Sequence, residues 1–190
     1  MTRIVAGAAR GRRLSVPAVG TRPTSDRARE AAFSAIESQL GGLSGVSVVD
    51  LYAGSGALGL EALSRGASRV DFVESDQAAA ATLRGNIDAV ALPGAYLHQM
   101  TVERWVRQRA DAPPAQLVVA DPPYATADTV LAAALAELST EGMAEACLVM
   151  VERPTRGQDF VFPEGISAER HRRYGEATLW FGRFGSVAAC

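Results

Sequence analysis

Residues 121–124 are Asp-Pro-Pro-Tyr, and these types in this order can hold a flat ligand that carries an amine. Two adjacent prolines fix two φ angles and remove two N–H donors, so the backbone is stiff and its carbonyl groups lack local partners. Asp121 and the Pro122 carbonyl can accept the two hydrogens of an exocyclic amine, which frees the nitrogen lone pair to react. Pro123 keeps the turn rigid, and Tyr124 can stack on the ring. We therefore expect Asp121, Pro122, Pro123 and Tyr124 to be the catalytic residues.

A glycine-rich turn is the second stretch that can do chemistry. Gly54, Gly56 and Gly59 form a G-x-G-x-x-G pattern directly after a β-branched run. Glycine permits the tight turn and lets a ligand approach the backbone closely. Glu74 lies 20 residues after Gly54, where a carboxylate can accept both ribose hydroxyls of an adenine nucleoside. The spacing predicts a cofactor that contains adenosine.

Asp50, just before the glycines, distinguishes two such cofactors. A carboxylate beside the loop would repel the pyrophosphate of NAD, whereas it would attract the ammonium group of S-adenosylmethionine. We therefore expect S-adenosylmethionine. The residues expected to bind it in these two turns are Asp50, Tyr52, Ala53, Gly54, Ser55, Gly56, Glu74 and Ser75.

The adenine ring of that cofactor has a less obvious partner. The D-x-x-x-G-x-G pattern from Asp50 resembles the first motif of class I methyltransferases, in which an acid or amide after the third strand often contacts the adenine ring. No acid stands at the matching residues 98–101. Met100 can pack on the adenine face instead, and Thr101 or the backbone can bond its edge. Both are taken as cofactor-binding residues, and ordinary core packing remains the alternative for Met100.

Alternating strands and helices must position these residues. Strands are predicted over residues 46–51, 69–74, 95–99, 116–120 and 146–152. Helices are predicted over residues 58–65, 77–90, 101–109 and 127–138. Before them lie a small β element and a helix that ends at Gly41, and after them a hairpin of residues 169–174 and 177–184. This order predicts an α/β fold with a mostly parallel, doubly wound sheet and one antiparallel strand, which binds ligands at the carboxyl ends of its strands.

Composition limits the other classes of protein. The chain is 48% hydrophobic and 21% charged, which excludes a wholly disordered chain. Its apolar stretches are broken well before 18 residues, so no membrane-spanning helix is expected. Two cysteines make neither a disulfide framework nor a four-cysteine zinc site. We expect a cytoplasmic protein without a metal, and nothing suggests an obligate oligomer, so a monomer is expected.

The two motifs and the first 40 residues resemble known methyltransferases. D-x-x-x-G-x-G from Asp50 resembles the first motif of class I, Rossmann-like methyltransferases, and residues 121–124 resemble the motif of enzymes that methylate exocyclic amines of bases or a glutamine amide. The R-P-T-S-D-R stretch at residues 22–27 is the most specific part of a resemblance to the bacterial ribosomal RNA small subunit methyltransferase D family, which extends to about residue 152. The resemblance implies methylation of the N2 amine of one guanine in 16S ribosomal RNA, within an assembling or assembled small subunit.

Asp121 itself favours guanine, because the neighbouring N1–H and N2 amine of guanine match the two acceptors of a carboxylate. Adenine presents a donor beside an acceptor, which an asparagine amide matches better, and methylation of adenine N6 in DNA or RNA stays the alternative. The intact motifs argue against a vestigial fold that only binds RNA, and Asp50 argues against an NAD oxidoreductase. His98 and His171, the only histidines, have no predicted role.

The arginines are concentrated at the start of the chain. Net charge is -2, yet residues 1–30 carry seven arginines and two acids. Arginine binds phosphates bidentately and stacks on splayed bases, so we expect residues 1–40 to be an RNA-binding extension and residues 41–190 the methyltransferase domain. Asp26 and Glu30 are the alternative partners of the two arginines nearest to them. The residues expected to contact RNA are Arg3, Arg10, Arg12, Arg13, Arg22, Thr24, Arg27 and Arg29.

Overall fold

Short β-branched and aliphatic runs form the strands of a computed structural model that describes residues 2–16, 26–109 and 112–185. In chain order the strands are β1 (Thr2–Arg3), β2 (Arg13–Leu14), β3 (Ser47–Leu51), β4 (Arg69–Val73), β5 (Ala95–His98), β6 (Ala115–Ala120), β7 (Met143–Pro154), β8 (Ile166–Tyr174) and β9 (Ala177–Phe184). The helices are α1 (Asp26–Leu40), α2 (Ala57–Ser64), α3 (Gln77–Val90), α4 (Val102–Gln108) and α5 (Asp128–Glu141).

Seven of these strands form one sheet in the order β5-β4-β3-β6-β7-β9-β8. The first five strands in this order, from β5 to β7, pair with one another in parallel. β9 is antiparallel to both of its neighbours, β7 and β8. The predicted doubly wound, mostly parallel sheet with a closing hairpin is therefore confirmed. β7 is longer than predicted because it pairs with β6 from Met143 onward and with β9 as far as Pro154. β8 is longer because its pairing with β9 begins at Ile166.

The two faces of the sheet bury separate apolar cores. One core joins the sheet to α1, α2, α3 and the β1-β2 hairpin, which contributes Ile4 and Leu14. The other core lies under α4 and α5 and includes Trp105 and Leu135. Such layers on both faces are what continuously apolar strands require. No helix in the described ranges is long and apolar enough to cross a bilayer.

The β1-β2 hairpin is shorter than the pattern predicted, with only two residues in each strand. The ladder ends early because the backbone N–H groups of Val5 and Ala6 donate to the carboxylate of Glu61 on α2, at 2.7 and 3.0 Å. A buried N–H group must find an acceptor, and here the acceptor is a side chain rather than a partner strand.

The predicted boundary at residue 40 falls between α1 and β3, but Phe33 before it and Val48 after it belong to the same core.

Candidate active site

β3 lies between β4 and β6, and the helices that follow it and β6 cover opposite faces of the sheet. Open α/β sheets bind ligands at such a switch point, outside the carboxyl ends of the strands. Asp50 lies near the end of β3, Glu74 follows β4, and Asp121 follows β6. The predicted cofactor and catalytic residues therefore meet at one edge of the sheet.

The side-chain carboxylate of Glu74 joins the glycine loop to the turn after β4. The N–H of Gly54 donates to Oε2 of Glu74 at 2.8 Å, and the N–H of Asp76 donates to Oε1 at 2.7 Å. Gly56 has φ +78°, and a Cβ there would lie 2.3 Å from the Leu83 side chain. Each carboxylate oxygen keeps a second lone pair, so an anchored Glu74 can still accept hydroxyl groups of a ribose.

Asp50 is buried, with 1% of its surface exposed, and its Oδ2 accepts the N–H of Gly59 at 2.8 Å. Burial raises the pKa of this carboxyl to about 8, the N–H of Gly59 opposes the rise, and the charge of Glu74 adds to it. A cation beside Asp50 would offset the cost of its ionisation. The residue fits an ammonium group of a ligand.

A pocket of about 250 Å³ opens between the ends of β3, β4 and β5 and the first turn of α4. This is a volume near the lower end for small-molecule sites. Met100 and Thr101, which the sequence predicts to contact an adenine ring, lie on its wall. The pocket is lined by Tyr52, Val73, Ser75, Met100, Thr101, Val102, Glu103, Thr126 and Val130.

Glu103 on this wall was missed by sequence reasoning, which looked for an acid only over residues 98–101. The hydroxyl of Thr101 caps α4 by accepting the N–H of Arg104 at 3.3 Å, so the helix begins at residue 102 and its first turn carries Glu103 back over the pocket. Burial raises the pKa of Tyr52 to about 12, and the negative charge of Glu103 adds to that rise. The N-cap threonine was the signal that could have located this acid.

Asp121 is half-buried at the end of β6. Burial raises its pKa well above the usual value, and the charges of Glu152 and Asp50 raise it further, whereas Arg153 lowers it. Such a carboxyl group is a better proton acceptor than an exposed one.

The residues after Asp121 form a rigid turn. The Pro123 carbonyl accepts the N–H of Thr126 at 2.8 Å, and the Thr126 carbonyl accepts a hydrogen bond from Arg153 at 2.8 Å. The Pro122 carbonyl has no partner within the described ranges, so it is available to a ligand. Tyr124 is 66% exposed beside it and can stack on an entering base.

The expected RNA-contacting arginines lie in different environments. Arg29 is 1% exposed and donates to Asp26 at 2.9 Å and to Thr2 at 3.0 Å, so this expectation is corrected: Arg29 is a buried structural residue. Arg3 is exposed and also pairs with Asp26, at 2.9 Å. Arg27 is exposed on the first turn of α1. Arg22 and Thr24 lie outside the described residues.

Arg10, Arg12 and Arg13 are exposed on the β1-β2 hairpin. The hairpin turn packs at the end of α2 remote from the glycine loop, where the N–H of Ala8 donates to the Ser64 carbonyl at 2.7 Å. Arg12 donates to the carbonyl of Ala89, at the matching end of α3, at 3.0 Å. The hairpin turn and its arginines therefore lie at the end of α2 and α3 opposite to the edge of the sheet that carries Asp50 and Asp121.

Both histidines have structural contacts. Nε2 of His98 lies 2.8 Å from Oδ1 of the buried Asp71, which Arg69 also contacts at 2.7 Å. Burial alone would raise the pKa of Asp71, but the hydrogen bonds from His98 and Arg69 bring it below its usual value. His171 packs on Trp180 with 4.7 Å between ring centroids. Within the described ranges no group of three His, Cys, Asp or Glu residues is arranged to hold a metal ion.

Similarity to known proteins covers nearly all of the chain. Residues 2–183 match the family described as Conserved hypothetical protein 95. Ribosomal RNA small subunit methyltransferase D of Escherichia coli K12 is 37% identical over 123 residues, which are 64% of this chain and 60% of that protein, so the match spans less than two thirds of that relative.

Two solved structures share the fold over almost their whole length. The Escherichia coli protein yhhF, provisionally named a methyltransferase, has a TM-score of 0.82 and 30% identity, with 96% of this chain and 97% of the other covered. A hypothetical protein of Thermus thermophilus has a TM-score of 0.80 and 31% identity, with 95% of this chain and 98% of the other covered.

Proposed function

The chain belongs to the Conserved hypothetical protein 95 family, and we propose that it transfers the methyl group of S-adenosylmethionine to the N2 amine of a guanine in 16S ribosomal RNA. The observation that carries the proposal is the position of Asp121-Pro122-Pro123-Tyr124. This stretch follows β6, next to the strand whose loop holds Asp50 and Gly54. A site suited to the amine of a base therefore lies next to a site suited to the nucleoside of a cofactor. The name of the Escherichia coli relative supports ribosomal RNA as the polymer.

The residues around the glycine loop fit S-adenosylmethionine. Asp50 would hold its ammonium group, since a buried carboxyl with a raised pKa gains most from a nearby cation. Glu74 would accept the ribose hydroxyls, and Met100 with Thr101 would line the adenine pocket. Glu103 would accept a hydrogen of the adenine amine, in place of the acid absent from residues 98–101. When bound, the cofactor supplies an electrophilic methyl group on a sulfonium.

The catalytic turn orients the base and takes up its proton. Asp121 and the Pro122 carbonyl accept the two amine hydrogens, so the lone pair is drawn out of conjugation and directed at the methyl donor. Tyr124 stacks on the base, which must leave its own stack to enter. Catalysis is mainly positioning, because the donor is already activated. The amine becomes acidic as it gains the methyl group, and Asp121, with its raised pKa, accepts the proton.

The proposed substrate is 16S ribosomal RNA of an assembling or assembled small subunit, bound by a monomer in the cytoplasm. Residues 1–40 would act as the RNA-binding extension of the domain formed by residues 41–190. The arginines proposed to contact RNA are Arg3, Arg10, Arg12, Arg13, Arg22 and Arg27, with Thr24. Arg29 is left out because its guanidinium is buried.

A labelling experiment tests the proposal directly. The protein is incubated with tritiated S-adenosylmethionine and with small subunits, naked 16S RNA or DNA from cells that lack the enzyme, and the labelled nucleoside is identified. We expect label in N2-methylguanosine of ribosomal RNA. Label in N6-methyladenosine would support the adenine alternative, and a protein that binds the cofactor but labels no polymer would contradict both. The better RNA substrate shows whether naked RNA or the subunit is recognised.

A further inference from the structure

One part of the sheet continues beyond the level at which the central strands end. Leu51 pairs with Ala120, and β3 and β6 end at these two residues. Ala120 also pairs with Val151, but β7 runs on to Pro154. The three added residues of β7 pair with the first three of β9, and those pair with the last three of β8. This part of the sheet is called the sheet projection here, and it consists of residues 152–154, 172–174 and 177–179.

The sheet projection stands beside the catalytic turn. Three residues of strand add about 10 Å to the sheet on the side where the catalytic turn follows β6. The row of paired residues through Ala120 and Val151 reaches His171 on β8, so Asp121 and Arg172 each lie one residue beyond that row. Three spacings of about 4.8 Å between neighbouring strands separate their backbones by about 14 Å. A few nucleotides of stretched RNA can therefore contact both residues.

The outer strand of the sheet projection is cationic. β8 lies at the edge of the sheet and carries Arg172 and Arg173, which are both exposed. Neither of them forms an ion pair within the described ranges. Arg170 on the same strand differs, because it packs on Phe181 and donates to the Ala35 carbonyl at 3.3 Å. Packing on the core thus accounts for Arg170, but not for the two arginines level with the catalytic turn.

Positive charge is in excess at this end of the strands. Arg156 is exposed directly after β7, and the turn between β8 and β9 contains a single acid, Glu176. The whole chain has a net charge of -2, so a polyanion is attracted only where such a local excess exists. The planar guanidinium of arginine binds phosphate groups in a bidentate manner.

We propose that Arg172 and Arg173 bind phosphates of the RNA strand next to the target guanine, so that the sheet projection positions this guanine at the catalytic turn. The inference rests on the proposed function and adds a second RNA contact to it. The arginines of the β1-β2 hairpin cannot make this contact, because the hairpin turn lies at the end of α2 remote from the glycine loop.

Exposed charges on an edge strand have a second possible use, since they hinder pairing with another chain. Charge of either sign serves that purpose, whereas residues 170–173 are Arg-His-Arg-Arg without an acid. The two uses differ in their consequences. Protection of the edge affects self-association, and phosphate contacts affect RNA binding and its dependence on salt.

The test compares wild type with the double variant Arg172→Gln, Arg173→Gln on the small subunit or naked 16S RNA, whichever the wild type methylates better. Loss of two phosphate contacts should lower the slope of log K against log salt by about 1.4–1.8 and reduce kcat/KM about tenfold or more near 100 mM salt. The value of kcat should stay within about threefold, because neither arginine contacts the reacting atoms.

Arg84→Gln with Arg107→Gln is the matched control, since it removes the same charge from exposed positions of α3 and α4. This control should keep the wild-type slope and kcat/KM. Cofactor affinity and the unfolding midpoint show that each variant is folded, and sedimentation velocity detects self-association.

An unchanged slope in the Arg172, Arg173 variant, or an equal change in the control, would overturn the inference. Self-association of the variant with RNA binding intact would also overturn it and assign both arginines to protection of the edge. Failure of wild type to methylate ribosomal RNA would instead overturn the proposed function, and this inference with it.

Discussion

Two acids hold the glycine loop from its two ends. Asp50 accepts the N–H of Gly59 within α2, and Glu74 accepts the N–H of Gly54 at the start of the loop. Each acid is therefore a structural residue before any ligand binds. A substitution of either one changes both the loop and its affinity for a ligand, so stability and binding must be measured together.

Asp50→Asn is expected to stabilise the ligand-free protein increasingly as pH rises. Burial raises the pKa of Asp50 from 3.8 to about 8, so the favourable contribution of its neutral form is complete below pH 4 and is lost as pH rises toward 8. Asparagine stays neutral and can still accept the N–H of Gly59. One pKa unit corresponds to about 1.4 kcal/mol, and each kcal/mol moves the unfolding midpoint by about 2–4 °C in a chain of this size.

Thermal unfolding of both proteins from pH 5 to pH 8.5 checks this expectation. The midpoint of Asp50→Asn should rise relative to wild type across the range. The exposed Asp88→Asn on α3 should show no such trend. A gap between Asp50→Asn and wild type that does not change with pH would contradict the raised pKa.

Asp121→Ala is expected to abolish methyl transfer while it leaves cofactor affinity within about twofold. Asp121 belongs to the turn after β6, and it is absent from the lining of the pocket proposed to hold adenine. Removal of an acceptor that positions the amine costs orders of magnitude in rate. Label transfer and equilibrium binding of S-adenosylmethionine are measured on the same preparation, with Asp88→Ala as the control. Equal loss of transfer and binding would show that Asp121 serves the cofactor instead.

At the level of elements, the N-terminal hairpin is held by side chains distant in sequence. Glu61 on α2 is fully buried, accepts the N–H groups of Val5 and Ala6, and pairs with Arg65 at 2.8 Å. Asn86 on α3 bonds both the N–H and the carbonyl of Ser15, each at 2.9 Å. The hairpin is therefore shaped by the two helices beneath it.

Glu61→Gln should destabilise the protein by about 3–5 kcal/mol, because it removes one charge of a buried pair. The glutamine amide is neutral and has one acceptor oxygen. It therefore accepts the two N–H groups and the Arg65 side chain more weakly than the Glu61 carboxylate does. Glu37→Gln is a matched control, since Glu37 pairs with the same arginine at 2.9 Å but is 36% exposed. That change should cost about 1 kcal/mol or less. Urea unfolding measures both, and equal losses for the two variants would contradict a special role for Glu61.

The sequence predicted those parts of the fold that depend on local pattern. Continuous apolar runs such as residues 117–119 located the strands, and the alternation with helices predicted the parallel sheet. The short β1-β2 ladder could not be predicted, because it ends at Glu61, 55 residues beyond Ala6.

The same distinction holds at the candidate site. Asp50, Glu74 and Asp121 could be selected because each lies where a strand ends. Glu103 could not, since its position depends on where α4 begins.

For the whole molecule, the proposed function raises the question of which surface would meet RNA. The net charge is -2, so attraction to a polyanion must come from a local excess of arginine. Arg10 and Arg13 are exposed on the hairpin, and neither forms an ion pair within the described ranges. An RNA that contacts both the hairpin and Asp121 must extend along α2, from its glycine end to its far end.

The double variant Arg10→Gln, Arg13→Gln should therefore bind 16S RNA more weakly and with less salt dependence. Each lost phosphate contact lowers the slope of log K against log salt by about 0.7–0.9. Arg104→Gln with Arg107→Gln on α4, on the other face of the sheet, is the control and should leave the slope unchanged. Filter binding between 50 and 300 mM salt measures both. Equal effects of the two pairs would mean that RNA contacts the protein through overall charge only.

The order of the strands also affects how the chain is made. β9 lies between β7 and β8, although both of these precede it in the chain. During synthesis β8 has no partner and the edge of β7 is open until β9 leaves the ribosome. An open edge of buried, apolar β7 is a template for pairing with another nascent chain. Until β9 pairs with β7, the fold therefore exposes an edge that can join another chain.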